Sequence, residues 1–167
     1  MILLIDTTHD IELQAQLSVL MEEKDLRFEI ADTDGMKISH CIGCNYCWLK
    51  TPGICTVKDD YEEILKKMVK ADQIWIISGT ALGFVTPQAK NIIDRVMPLA
   101  TMYLKYEGKQ MRHVLRYGKY DFGLIYCGEA DREYLKKWSD RVAINFGGRT
   151  RGAFTKDEIE EVAACMS

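Results

Sequence analysis

Three short, nearly continuous apolar runs constrain this chain most: Met1 to Ile5, Gln73 to Ser78 (QIWIIS) and Phe122 to Cys127 (FGLIYC). A strand with one wet face alternates apolar and polar residues, whereas a continuous run of this length suits a strand buried on both faces. Between the runs the period changes to that of a helix. From Ile11 to Lys24 the residues Leu13, Leu17, Leu20 and Met21 share one stripe, with Asp10 placed as N-cap. Asp59 to Lys70 turns Tyr61, Ile64, Leu65 and Met68 to one side. Pro87 opens a helix running through Val96, and Asp131 to Asn145 carries Leu135, Trp138 and Val142. Arg27 to Ala31 and Arg149 to Phe154 read as two further strands, and Lys156 to Cys165 as a last helix. Gly79 to Thr86 reads as a flexible loop and Leu99 to Tyr120 as a partly helical excursion. Strands alternating with helices predict one domain over residues 1–167, an α/β fold with a parallel sheet covered on both faces.

Ligands of such sheets sit beyond the carboxyl ends of the strands. Those ends are Asp6–Asp10, Asp32–Val57, Ser78–Thr86 and Cys127–Ala130. The second is long for a compact domain and holds Cys41, Cys44, Cys47 and Cys55, spaced C-x2-C-x2-C-x7-C. Three thiolates on one curl and a fourth returning from the far side suit a four-iron cluster or a tetrahedral zinc ion. Tyr46 and Trp48 fit equally as shields of such a group or as ordinary packing. Composition is that of a soluble domain, 47% apolar and 28% charged. The net charge of −3 gives no electrostatic case for nucleic acid or an anionic membrane. The run Ile2–Ile5 is too short for a signal-peptide core or a membrane span, so the expected location is the cytoplasm. There, clustered cysteines mean metal or redox chemistry more often than disulfides. Cys165 and Cys127 stand apart as small hydrophobes, and His40 and His113 read as surface or structural residues. Asp59 and Asp60 read as an acidic pair at a helix start, and Lys90 and Arg95 as helix-surface or subunit-contact residues.

The segment from Cys41-Ile-Gly-Cys44-Asn-Tyr-Cys47 through Gly53-Ile-Cys55, Asp59-Asp60 and Ser78 to Lys90 and Asp94-Arg95 resembles one known group. It is similar to the NADPH-dependent FMN reductases of the flavodoxin-like superfamily, and within them to the iron–sulfur flavoproteins. The resemblance implies a three-layer sandwich with five parallel strands in the order 2-1-3-4-5. It implies bound FMN, NAD(P)H or a ferredoxin-type protein as reductant, a further electron acceptor, and a homodimer or homotetramer. It assigns Cys41, Cys44, Cys47 and Cys55 to a [4Fe–4S] cluster. Ser78, Gly79, Thr80, Ala81, Leu82, Gly83 and Phe84 match the loop that holds the flavin ring, without its usual proline and tyrosine. Cys127, Gly128 and Glu129 fall where relatives touch the ring. Thr7, Thr8 and His9 occupy the phosphate turn, although Asp10 and Glu12 compete for its N–H groups and repel a dianion. The function expected is a flavin-dependent oxidoreductase or electron-transfer protein. The alternatives are a non-catalytic metal-binding or scaffold protein that has lost FMN, and a thiol redox sensor.

Overall fold

A computed structural model describes residues 1–166. Five parallel strands form the central sheet: β1 (Ile2–Asp6), β2 (Phe28–Asp32), β3 (Gln73–Ala81), β7 (Tyr120–Cys127) and β8 (Gly147–Thr155). Their spatial order is β2-β1-β3-β7-β8, the expected 2-1-3-4-5 arrangement. The continuous apolar runs have a direct cause. Leu3, Ile5, Ile74, Ile76, Phe122 and Leu124 point to one face, while Ile2, Leu4, Trp75, Ile77 and Ile125 point to the other. The first face is covered by α3 (Tyr61–Met68), α4 (Pro87–Asp94) and α5 (Arg132–Asn145). The second is covered by α1 (Ile11–Glu23) and α6 (Ile159–Met166). Every strand position between the layers therefore has to be apolar.

Asp10 caps its helix as read, accepting from the Leu13 N–H at 3.0 Å, and Asp131, read as a helix residue, is likewise an N-cap, accepting from the Tyr134 N–H at 3.0 Å. Two segments differ from expectation. The region 79–86 is no flexible loop: β3 runs on to Ala81, turns through Leu82-Gly83, and returns as β4 (Phe84–Val85). Both turn residues have positive φ, 52° and 76°, which a two-residue hairpin requires. The Leu99–Tyr120 excursion is not helical. It is an antiparallel hairpin of β5 (Ala100–Glu107) and β6 (Gln110–Leu115), outside the main sheet. Thr101, Tyr103, Tyr106 and Val114 favour strand, but a register shift between Ala100 and Leu104 blurs their alternation. A short α2 (Tyr46–Leu49) sits inside the cysteine loop. Among the described residues no helix is long and apolar enough to cross a membrane.

Candidate functional site

The carboxyl ends of β1, β2, β3 and β7 place their loops on one rim, as the topology requires. In the turn after β1, the strand-end carboxylate of Asp6 is fully buried and acts as the acceptor at the turn's centre. The Thr8 N–H and Thr8 hydroxyl both donate to Asp6 Oδ1 at 2.7 Å, and Gln14 Nε2 donates to Asp6 Oδ2 at 2.7 Å. The Thr7 hydroxyl donates to the Ile77 carbonyl at 2.9 Å. His9 Nδ1 lies 2.6 Å from Asp32 Oδ1, and Gln14 also donates to Asp32. That hydrogen bond to the Asp32 carboxylate raises the His9 pKa above its ordinary value, with the charges of Asp32, Asp34 and Asp6 adding to it. Burial pulls Asp32 upward, but bonds from Gln14, the Asp34 N–H and His9 outweigh it and hold the carboxyl below its usual range. The turn is thus self-capped. The donors of Thr8, His9 and Gln14 are engaged by the chain's own carboxylates and the Thr7 hydroxyl by the Ile77 carbonyl, so in this conformation these side chains are not free to meet an FMN phosphate.

The expected ring-binding residues form a more open edge. The Ser78 hydroxyl donates to the Gly79 carbonyl at 2.7 Å and accepts from the Thr86 N–H at 3.1 Å, which pins the base of the β3–β4 ribbon. Thr80 pairs with Val85 and Ala81 with Phe84. Leu82 stands fully in solvent at the ribbon tip beside Gly83, and Phe84 packs on Tyr134 and Trp138. Gly128, at φ 121°, lies so close to the ribbon that a Cβ there would come within 2.4 Å of Thr80 Oγ1. Cys127 is half buried, and burial pushes its thiol up to about 11. Glu129 follows on the exposed surface. The ribbon and the β7 turn therefore meet through Thr80 and Gly128.

The cysteine loop is held by a residue read as a surface or contact arginine. Arg95 follows α4 and is almost fully buried, 1% exposed. Its guanidinium pairs with Asp59 at 2.6 Å, donates to the Ser39 and Val57 carbonyls, and donates to Cys55 Sγ at 3.4 Å. It also covers the Tyr61 ring at 4.3 Å. Its Nε is buried with no hydrogen-bond partner. Asp59 accepts from the Ser39 N–H at 2.8 Å and from the Tyr61 N–H at 3.3 Å. It lies at the helix start, as read for the acidic pair, but its main partner is the buried cation. Burial raises the Asp59 pKa, yet the bonds from Arg95 and Ser39 prevail and hold it below the usual carboxylate range. The sequence signal for Arg95 was its position three residues after buried Ile92, on the inward stripe of the helix. Lys90, by contrast, does lie outside, paired with Asp94.

Cys41, Cys44, Cys47 and Cys55 line one cavity of about 120 Å³, with Arg95 and Pro98 in its wall. All four are free thiols. Burial, followed by the charges of its three neighbouring cysteines, pushes the Cys47 thiol up to about 11. Among the described residues, no three Cys, His, Asp or Glu side chains converge closely enough to hold a single metal ion. Four soft donors around a shared cavity fit a larger group whose thiolates bond to separate iron atoms. Trp48 donates from its indole N–H to the Met97 carbonyl at 2.7 Å and packs on His113 at 4.6 Å. Tyr46 is exposed beneath Lys50. Trp48 is therefore a tie between the loop and the hairpin.

Sheet order and rim loops define a flavodoxin-like α/β protein carrying a cysteine loop. Its fold matches a flavodoxin from Megasphaera elsdenii with TM-score 0.52 and 9% identity, covering 99% of this chain and 98% of that one. It also matches an NAD(P)H:quinone oxidoreductase from Methanothermobacter marburgensis with TM-score 0.59 and 12% identity, covering 97% and 92%. In sequence the chain is similar to iron–sulfur flavoproteins. One from Methanocaldococcus jannaschii is 40% identical over 77 residues, 46% of this chain and 39% of the relative. One from Archaeoglobus fulgidus is 31% identical over 128 residues, 76% of this chain and 52% of the relative. The resemblance read from the segment Cys41 to Arg95 is borne out by these relatives. The chain spans about half the length, or less, of the curated relatives it matches. No family profile matches it.

Proposed function

We propose that this protein is a redox protein of the iron–sulfur flavoprotein kind. Cys41, Cys44, Cys47 and Cys55 would hold a [4Fe–4S] cluster that passes single electrons, and the rim would present a flavin. The observation that carries this reading is the placement of four free thiols around one cavity beside a buried arginine. The chain's own part is to supply thiolates and fix the loop through Arg95 and Trp48. Cys47 has to give up its thiol proton on loading, so loading releases protons and weakens as pH falls. Its raised value counts against Cys47 as the reactive thiol of the sensor alternative, which pairs it with Cys44. A bound flavin is supported by the relatives' names, which call them flavoproteins, and FMN in particular by the family resemblance and the glycine-lined ribbon edge, not by the phosphate turn. NAD(P)H or a protein electron donor, a separate acceptor, and a cytoplasmic setting belong to the same proposal.

Iron, sulfide, zinc and flavin assays on protein purified without oxygen test it. The expected result is about four iron and four sulfide per chain, as a four-cysteine cluster requires, together with flavin absorbance. Zinc alone, or colourless protein that refuses added flavin, would overturn it. The second reading, a metal-binding protein without FMN, is favoured by the self-capped turn at Asp6. Iron and sulfide without any flavin uptake would select it.

A further inference from the structure

We propose that Arg95 sets the reduction potential of the group held by the cysteine loop. The inference rests on the cluster reading above and goes beyond the ligand set. Arg95 donates to Cys55 Sγ at 3.4 Å, lines the cysteine cavity, and is buried at 1% exposure. Its Nε is a further buried N–H without a partner. A thiolate that accepts hydrogen bonds beside a buried cation holds an added electron more easily, because the added negative charge is met by fixed donors and little water. Asp59 opposes this from the far side of the guanidinium, 2.6 Å from Nη1. The pair is therefore oriented, with its positive end toward the sulfur and its negative end toward Ser39 and Tyr61. Arg95 is a positioning residue here, acting on the iron through Cys55.

An anchoring arginine and a potential-setting arginine make different predictions. If Arg95 only holds the loop, Arg95→Gln and Asp59→Asn both loosen it and move the potential in the same direction, or lose iron alike. If the buried charge sets the potential, the two variants move it in opposite directions. One-electron titration of the iron-loaded protein with dithionite, followed by electron paramagnetic resonance, reads this directly. Arg95→Gln is expected to be harder to reduce, by about tenfold in the reduced-to-oxidised ratio at fixed ambient potential, or about 59 mV. Asp59→Asn is expected to be easier to reduce, and Arg95→Lys to fall between wild type and Arg95→Gln, keeping the charge without the fork. Should Arg95→Gln fail to fold, the other two variants decide by the same signs. A cluster present in all variants with shifts of one sign, or none, overturns the role of Arg95 and leaves the cluster standing. Wild-type protein without iron and sulfide overturns the cluster and this role together.

Discussion

A single carboxylate, Asp6, takes the bonds that a strand-to-helix turn of this fold offers to a phosphate, and His9 beside it is tied to Asp32. The His9 pKa is raised on folding, so its contribution to stability is fully present below the unfolded value of about 6.5. The contribution disappears as pH rises through the higher folded value. Asp32→Asn removes the partner and is expected to bring the His9 titration, followed by proton NMR, back down toward 6.5. A His9 titration unchanged in Asp32→Asn would show that the hydrogen bond does not set it. The same scale holds the Arg95–Asp59 pair. Both partners are buried, and Arg95→Ala leaves the Asp59 carboxylate with only the Ser39 and Tyr61 N–H donors and no counter-charge, a loss that costs about 3–5 kcal/mol. Chemical denaturation of the metal-free protein measures this without involving any cofactor.

At the scale of elements, the β3–β4 ribbon carries its own strain. Leu82 sits at φ 52°, a left-handed conformation that costs a branched L-residue about 1–2 kcal/mol, and its side chain is wholly in solvent. Leu82→Asn creates the Asn-Gly pair that this turn prefers, and is expected to stabilise the protein by about 1 kcal/mol. At this chain length that raises Tm by about 2–4 °C, seen by calorimetry. No change in Tm would mean that the turn tolerates leucine without strain. The ribbon also shows where sequence reading stopped. The central strands and main helices were legible because sheet burial forces apolar runs and helix burial forces stripes, as in Leu13, Leu17 and Met21. The four cysteines were legible as one site because their spacing is local. The two hairpins were not. Leu82-Gly83 lacks the usual turn residues, and the register shift near Leu104 hides the alternation of β5. Arg95 went unread for another reason: its inward position three residues after Ile92 is a weak signal for a charged residue, and the partners that make burial tolerable, Asp59 and Cys55, lie 36 and 40 residues away.

At the scale of the molecule, the β5–β6 hairpin stands outside the sheet with a two-faced pattern. Lys105 pairs with Arg112 and Glu107 with Gln110 on one face, while Leu104, Tyr106 and Met111 share the other. That second face is open to solvent, with Tyr106 70% exposed. A two-stranded hairpin is marginal in water, and an apolar face on one is stabilised by covering it. The homo-oligomer expected from the family resemblance would, as a proposal, place a second copy over this face. Sedimentation is expected to give a dimer or larger assembly, and Tyr106→Glu with Met111→Glu a smaller species. An unchanged sedimentation coefficient in that variant would remove the hairpin as the interface. The tie between Trp48, Met97 and His113 then acquires a meaning of its own. Were a second copy to cover the arm and iron to load the loop, as proposed, that indole would join the two sites, and assembly and iron loading would act as two ligands of a single equilibrium. Reciprocity fixes the consequence: whatever factor iron adds to self-association, self-association adds to iron retention.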